Sequence, residues 1–315
     1  MTTGERQEGF VLGIVGPTAT GKTGLSLEAA RMLGGDPAAT IIGADAMALY
    51  RGMDIGTAKV SRGDREEITH HLIDVLPVTA KASVAAYQRE ATEHVNAALS
   101  AGKVPIVVGG SGLYVRALLD QLRFPPTDGP TRERLQDEAL THGPQYLHER
   151  LTRLDPQAGK SIEPNNVRRV VRALEVIEIT GEPFSATLPT YEYCWPTAQI
   201  GLTAPLNVLD ERIKVRSMRM FEEGLVDEVR ALVSEGLLEG ETAQYATGYQ
   251  QAIAVLDGRL SVEEAWRETA QATSKLARKQ LKWFRRDPRI NWVNVEVEDP
   301  VEKVKETLSA RGLIG

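Results

Sequence analysis

The sequence predicts an α/β fold: a parallel sheet flanked by helices, interrupted by a small helical insertion domain. Three observations carry that expectation. An apolar run, residues 10–15, leads into Gly16-Pro17-Thr18-Ala19-Thr20-Gly21-Lys22-Thr23 and then into a helical pattern over 24–33. Strand-like and helix-like stretches go on alternating to about residue 122, the rhythm of a doubly wound parallel sheet. From 124 onward the strand signal disappears and helical patterns follow one another.

The first observation is also the most chemical. The octapeptide fits G-x-x-x-x-G-K-[ST] in the strand–loop–helix context the motif requires. Its glycines let the backbone curl so that several N–H groups face an anion, and the following helix adds the positive end of its dipole. Lys22 offers a point charge to phosphate oxygens, and the Thr23 hydroxyl suits Mg²⁺. Gly16, Pro17, Thr18, Ala19, Thr20, Gly21, Lys22 and Thr23 are therefore the candidate polyphosphate- or pyrophosphate-binding residues, and the sheet is P-loop NTPase-like.

Residues 41–44 read as a buried strand that delivers Asp45 at its carboxyl end, where open α/β sheets bind ligands. Asp45 as a cap of the next turn is an equal alternative. Residues 50–59, with Gly52 and Gly56 among charges, form an aperiodic functional loop. Residues 70–76 read as a strand; its adjacent His70 and His71 point to opposite faces, against a shared metal. Ser83 caps a helix over 84–100, and 104–108 is the most strand-like run. Gly109-Gly110-Ser111-Gly112 then repeats the strand–glycine–helix pattern, with a helix from 113 to about 122. This places Ser111 on the same rim as Asp45, or makes it a plain N-cap.

Phe124-Pro125-Pro126-Thr127-Asp128-Gly129-Pro130 reads as a linker into the insertion, expected over 124–198, with the core over 1–123 and 199–315. Its clearest helix spans 165–177. Val167, Val170, Val171, Leu174 and Ile177 share one face, and Arg168, Arg169 and Arg172 fall off it. That clustering favours a phosphate-facing role over a solvated face. The chain returns to the sheet at 199–202. A helix over 207–220 carries Arg212, Lys214, Arg216 and Arg219, and shorter helices follow over 225–233 and after Gly248. A long helix from Ser261 begins acidic and ends with Lys275, Arg278, Lys279, Lys282, Arg285 and Arg286. Trp283 and Phe284 lie among these charges, which favours a nucleic-acid or phosphate surface.

Composition sets bounds. The 315 residues carry 25% charged and 42% hydrophobic residues and a net charge of −6, as in a globular enzyme that is not basic throughout. Cys194 is the one cysteine, excluding a disulfide and a Cys-based zinc site. The segment Met1-Thr2-Thr3-Gly4-Glu5-Arg6 has no apolar leader and no run is long enough to span a bilayer, so a cytoplasmic protein with no membrane partner is expected.

Several longer runs carry a resemblance. With the phosphate loop stand Asp45-Ala46-Met47-Ala48-Leu49-Tyr50-Arg51-Gly52-Met53-Asp54-Ile55-Gly56-Thr57-Ala58-Lys59 and His70-His71-Leu72-Ile73-Asp74. Gly109-Gly110-Ser111-Gly112-Leu113-Tyr114 and Arg172-Ala173-Leu174-Glu175-Val176 complete them. In this order, from about Val11 to Trp292, the chain resembles the bacterial tRNA dimethylallyltransferases (tRNA isopentenyltransferases). The resemblance implies Mg²⁺-dependent transfer of a dimethylallyl group from dimethylallyl diphosphate to the exocyclic amine of an adenosine. That adenosine follows the anticodon in tRNAs reading codons that begin with U, and the partner is a tRNA anticodon stem-loop. It further implies Asp45 as general base acting on a flipped base, Thr23 in catalysis and on Mg²⁺, and Arg216 neutralising the leaving diphosphate. Asp45, Ala46, Met47, Ala48, Ser111, Arg132, Arg168, Arg169 and Arg172 match tRNA-contacting positions, to which the basic helix end adds Lys282 and Arg285. Ser111 stands where the family often has Thr, and Ala46 and Ala48 depart from its commoner residues. A monomer is expected.

Two other functions compete on residues alone. A P-loop kinase or other ATP-binding enzyme needs only the loop, but it usually needs a second acidic residue after a strand, and 104–108 ends in Gly-Gly-Ser-Gly instead. A non-catalytic nucleotide-binding RNA chaperone would use the same basic surfaces.

Overall fold

Strands β1 (Val11–Val15), β2 (Ala39–Gly43), β3 (His70–His71), β4 (Val104–Gly109), β5 (Thr197–Thr203) and β6 (Ile290–Asn294) form one parallel sheet in the order β3-β2-β4-β1-β5-β6. The structure is a computed structural model that describes residues 9–120, 122, 124–187 and 191–315. The segment Met1 to Arg6 lies outside the described residues. β1 sits between β4 and β5, with Leu12 opposite Ile106 and Ile14 opposite Ile200, so its carboxyl end opens in the middle of the sheet.

Both faces of the sheet are covered, which is why its strands read as continuous apolar runs. The alternation along β1 divides them. Leu12 and Ile14 pack with Ile41, Ile106 and Ile200 under α1 (Lys22–Leu33) and α13 (Pro300–Ser309), through Leu25, Leu27, Val304 and Leu308. Val11 and Val15 pack with Ile42 and Val107 under α3 (Val84–Ser100) and α4 (Gly112–Leu119), through Tyr87, Ala91, Val95, Val115 and Leu118. Leu12 is fully buried, so its truncation to Ala would cost about 2–5 kcal/mol.

A third group of helices builds a wall beyond the strand ends. α9 (Leu206–Glu222) and α12 (Val262–Phe284) meet at Leu209, Ile213 and Ala277. α10 (Leu225–Ser234) and α11 (Tyr249–Leu256) share a core with Tyr50 and Met53 of the 50–59 loop. Ser261 and Glu264 cap α12 reciprocally: the Glu264 N–H donates to Ser261 Oγ at 3.2 Å, and the Ser261 N–H to Glu264 Oε2 at 2.8 Å.

The chain divides into two compact units, Asp120–Glu192 and the remainder. The smaller unit holds α5 (Gly129–His142), α6 (Pro144–Leu154), α7 (Pro156–Ser161) and α8 (Val167–Thr180) around Leu135, Leu147, Leu151, Val170 and Leu174. Residues 193–198, expected in the insertion, belong to the larger unit, because Thr197 and Ala198 already pair with Val11 and Leu12.

Three expectations change. The strand over 70–76 shortens to His70–His71, because Leu72 (φ 62°) and Asp74 (φ 58°) are left-handed and the Val75 and Leu76 N–H groups bond Leu49 O. The helix expected to about 122 stops at Leu119. Strand β6 and helix α13 close the fold without having been expected; β6 carries asparagines at two of its five positions and is only partly buried. α2 (Arg62–Glu67) is a short solvent-facing helix. Among the described residues no helix is long and apolar enough to cross a membrane.

Candidate active site

The phosphate loop leaves β1 at Gly16, whose φ of 136° and closeness to β5 admit no side chain: a Cβ there would lie 2.4 Å from Leu202 O. Ala19 (φ 64°) and Gly21 (φ 88°) are also left-handed, the alternation that turns successive N–H groups into one concavity. A non-glycine residue in that region stores strain, as functional sites often do. The Thr20 hydroxyl braces the turn on Pro17 O at 2.8 Å. α1 starts at Lys22, two residues earlier than expected, so Lys22 and Thr23 occupy its first turn. The Thr23 side chain makes no hydrogen bond to the protein among the described residues and borders the cavity beside the loop.

Lys22 is folded back, its Nζ donating to Pro17 O at 2.6 Å. Burial pulls its pKa down to about 8; Asp45 opposes this and Arg216 adds to it. Burial likewise lowers Arg216, against the pull of Asp45. Two cations and one carboxylate thus share a desolvated space that has a net positive charge and suits a multiply charged anion.

Asp45 follows β2 directly. Its Oδ1 accepts the Met47 N–H at 2.9 Å, so the turn-capping alternative is realised, yet the same side chain lines the cavity. Ser111 is not a simple N-cap. Its Oγ accepts the Ala46 N–H at 3.2 Å, so Ser111 and Asp45 together fix the backbone of Ala46 and Met47.

Arg216 comes from α9. Its Nη1 donates to Thr18 Oγ1 at 3.0 Å and its Nη2 to Thr57 O at 3.4 Å. Around these residues lie two cavities. One, of about 1040 Å³, runs along the phosphate loop past Lys22, Thr23, Ala48, Arg216 and Arg219. The other, of about 370 Å³, is walled by Met47, Tyr245, Thr247, Thr273 and Gln280. Thr18, Asp45, Thr57, Arg216 and Met220 line both.

Side chains beyond the sequence reading complete this site. Gln280 Oε1 accepts the Thr18 N–H at 2.9 Å, tying α12 to the phosphate loop across a sequence separation of 262. Glu228 and Tyr249 hold the 54–57 loop. Neither separation leaves a periodic or motif signal. His70 lines the larger cavity, whereas His71 stacks on His94 with centroids 4.0 Å apart, so the rings serve different surroundings. Among the described residues no cluster of His, Cys, Asp or Glu is built to hold a metal by itself. Asp74, the acidic residue after β3, is taken by Lys59 at 2.6 Å and Arg65 at 2.5 Å, which removes it as a second acid for a kinase.

The smaller unit has its own arrangement. Arg132 and Arg172 are not open cations: both bind the fully buried Glu175 at 2.9 Å, and Arg172 also donates to Pro125 O at 2.8 Å. Arg168 and Arg169 are exposed, and among the described residues their side chains have no partner. In the larger unit the same holds for Lys282 and Arg285 at the end of α12.

A strand–P-loop–helix unit in the middle of a parallel sheet, with a cation-rich cavity at its mouth, defines a P-loop protein that binds a polyphosphate or diphosphate. Comparisons narrow this. The family model for IPP transferase matches residues 48–287. The chain is 52% identical over 299 residues to the tRNA dimethylallyltransferase of Streptomyces coelicolor, covering 95% of both. It is 54% identical over 294 residues to that of Thermobifida fusca, covering 93% of this chain and 92% of the relative. The crystal structure of the full-length tRNA isopentenylpyrophosphate transferase of Bacillus halodurans is similar at a TM-score of 0.69 and 36% identity, covering 96% of each chain. The chain belongs to the IPP transferase family, the tRNA dimethylallyltransferases.

Proposed function

We propose that this chain transfers the dimethylallyl group of dimethylallyl diphosphate to the exocyclic amine of the adenosine 3′-adjacent to the anticodon, giving N6-isopentenyladenosine in tRNAs that read codons beginning with U. The observation that carries the reading is the junction of the two cavities, which both Asp45 and Arg216 line. A donor diphosphate in the loop and a base in the smaller cavity would meet there, with a carboxylate and an arginine at the point of reaction. A kinase would need neither the second cavity nor a carboxylate in it.

Loop N–H groups, Lys22 and Arg216 would bind the diphosphate. The amine nitrogen forms its bond to C1 as the C1–O bond breaks, and that bond's electron pair leaves with the diphosphate. Asp45 takes the proton lost by the amine. Charge grows on the leaving oxygen during this step, so Arg216 and Lys22 stabilise the transition state more than the ground state. Thr23 suits Mg²⁺, since its hydroxyl is unengaged and the ion needs few protein ligands when phosphate oxygens and water fill its shell. When bound, Mg²⁺ would neutralise part of the diphosphate charge. Tyr245 and Gln280 offer a flipped base a ring and an amide edge. Arg168, Arg169, Lys282 and Arg285 would contact tRNA phosphates, and Ala46, Met47, Ala48 and Ser111 shape the rim.

Incubation with Mg²⁺, dimethylallyl diphosphate and unmodified tRNA, followed by mass spectrometry of the nucleosides, tests this. The expected result is one prenyl group on the adenosine after the anticodon. ATP turnover without transfer would contradict it.

A further inference from the structure

The loop that carries Thr57 is held by one carboxylate. Glu228, on α10, turns Oε2 toward the N–H groups of Asp54 (3.1 Å) and Ile55 (2.7 Å). Its Oε1 accepts the Tyr249 hydroxyl at 2.6 Å and sits 3.5 Å from the Gly56 N–H. Successive backbone N–H groups converging on an anion make a nest, and a charged acceptor strengthens each bond in it. Tyr249 is fully buried and its ring presses on the loop: a Cβ on Gly56 would lie 2.4 Å from Tyr249 Cε2. At the other end, the buried Lys59 ammonium ties the loop base to Tyr50 O at 2.8 Å and to Asp74 at 2.6 Å.

What this loop presents to the site is the Thr57 carbonyl, on which Arg216 Nη2 rests at 3.4 Å. The other guanidinium nitrogen, Nη1, is fixed by Thr18 Oγ1 at 3.0 Å. A guanidinium aims its donors only as well as its plane is held, and misplacing a positioned group by about 1 Å can cost about 10²-fold in rate. We propose that Glu228, braced by Tyr249, is a positioning residue for transfer: by gathering the N–H groups of Asp54 to Gly56 it sets the Thr57 carbonyl, and through it the plane of Arg216 toward the diphosphate. Glu228 itself touches no reacting atom.

The proposal rests on Arg216 holding the diphosphate, so the test separates the two ideas. Inorganic pyrophosphate affinity is measured for Arg216→Gln, Glu228→Gln, Tyr249→Phe and the two double variants with Arg216→Gln. Glu228→Gln keeps the side-chain shape but puts an NH₂ where an acceptor was. It should weaken pyrophosphate binding by about tenfold and lower kcat by a similar factor while leaving tRNA affinity unchanged. Tyr249→Phe keeps the ring on Gly56 and removes one bond to the carboxylate, so a loss of about threefold is expected. In the Arg216→Gln background neither substitution should weaken binding further, because an effect that runs through Arg216 cannot outlast it.

Losses that add fully to that of Arg216→Gln would overturn the proposal. So would a lower Tm for Glu228→Gln with unchanged pyrophosphate affinity and kcat. If Glu228→Gln does not fold, Tyr249→Phe and its double variant decide the matter alone. An Arg216→Gln protein that binds pyrophosphate normally would remove the underlying reading; a weakened one, with Glu228→Gln and Tyr249→Phe at full affinity, would remove only this inference.

Discussion

Arg216 of α9 donates to the Thr18 hydroxyl of the phosphate loop at 3.0 Å, and the same Thr18 gives its N–H to Gln280 of α12 at 2.9 Å. The loop is therefore set between two late helices as well as on β1. That arrangement brings charges from distant parts of the chain into one desolvated space.

Lys22 makes the site's diphosphate affinity depend on pH. Its native pKa of about 8 lies below the unfolded value of 10.5. Only the ammonium form attracts the anion, so affinity should be flat below about pH 8 and fall by up to about tenfold per unit above it. The stability of the ligand-free protein moves the other way. Between these values the unfolded chain binds more protons, so this group's contribution to stability rises with pH across that window. Calorimetric titration with pyrophosphate from pH 7 to 10, compared with Lys22→Met, isolates the effect. Parallel pH profiles in the two proteins would place the titrating group elsewhere.

Lys282 and Arg285 should behave as phosphate contacts. Charge reversal at both should weaken tRNA binding and reduce the slope of log K against log salt by about one unit per lost contact. Filter binding over a salt series reads this directly. Unchanged affinity and slope would make the basic end of α12 a solvated face matched to its helix dipole.

Glu175 should hold the smaller unit together. Burial pushes its carboxyl up, but hydrogen bonds from Arg172 and Arg132, with the Asp128 N–H at 2.8 Å, outweigh burial and hold it below the usual range. The native pKa lies below the unfolded one, so its contribution is present at neutral pH and is lost as pH falls through the native value. The two arginine side chains are about a third exposed, which lowers the cost of stranding them. Glu175→Ala should therefore cost about 1–3 kcal/mol rather than the full penalty of a broken buried pair. Faster proteolysis between α5 and α8 is the expected reading; wild-type resistance and Tm would show that the pairings are incidental.

Local sequence made part of this legible. The phosphate loop, β1, α3 and the position of Asp45 rest on short-range signals: a fixed motif spacing, an apolar run, an N-capping Ser83 and a 3.6-residue period. β3 was overestimated because the left-handed Leu72 and Asp74 interrupt an otherwise apolar run. β6 was missed because its two asparagines and exposed positions dilute the apolar pattern. Arg132 and Arg172 looked like free cations because their partner is remote from Arg132 in sequence. Glu175 did carry a signal, a carboxylate three residues from Arg172 in the buried helical stripe. Glu228, Tyr249 and Gln280 were silent, since a single side chain that meets a loop 173 to 262 residues away has no period to betray it.

The central claim is that Asp45 takes a proton where donor and acceptor meet. Asn at this position keeps an oxygen for the Met47 N–H, so Asp45→Asn preserves the turn while removing the base. The most direct measurement is the single-turnover rate of prenyl transfer by Asp45→Asn with saturating dimethylallyl diphosphate and tRNA. The account predicts a rate about 10²–10⁴-fold below wild type with tRNA affinity retained. A near-normal rate would contradict it and leave Asp45 as a turn-forming residue only.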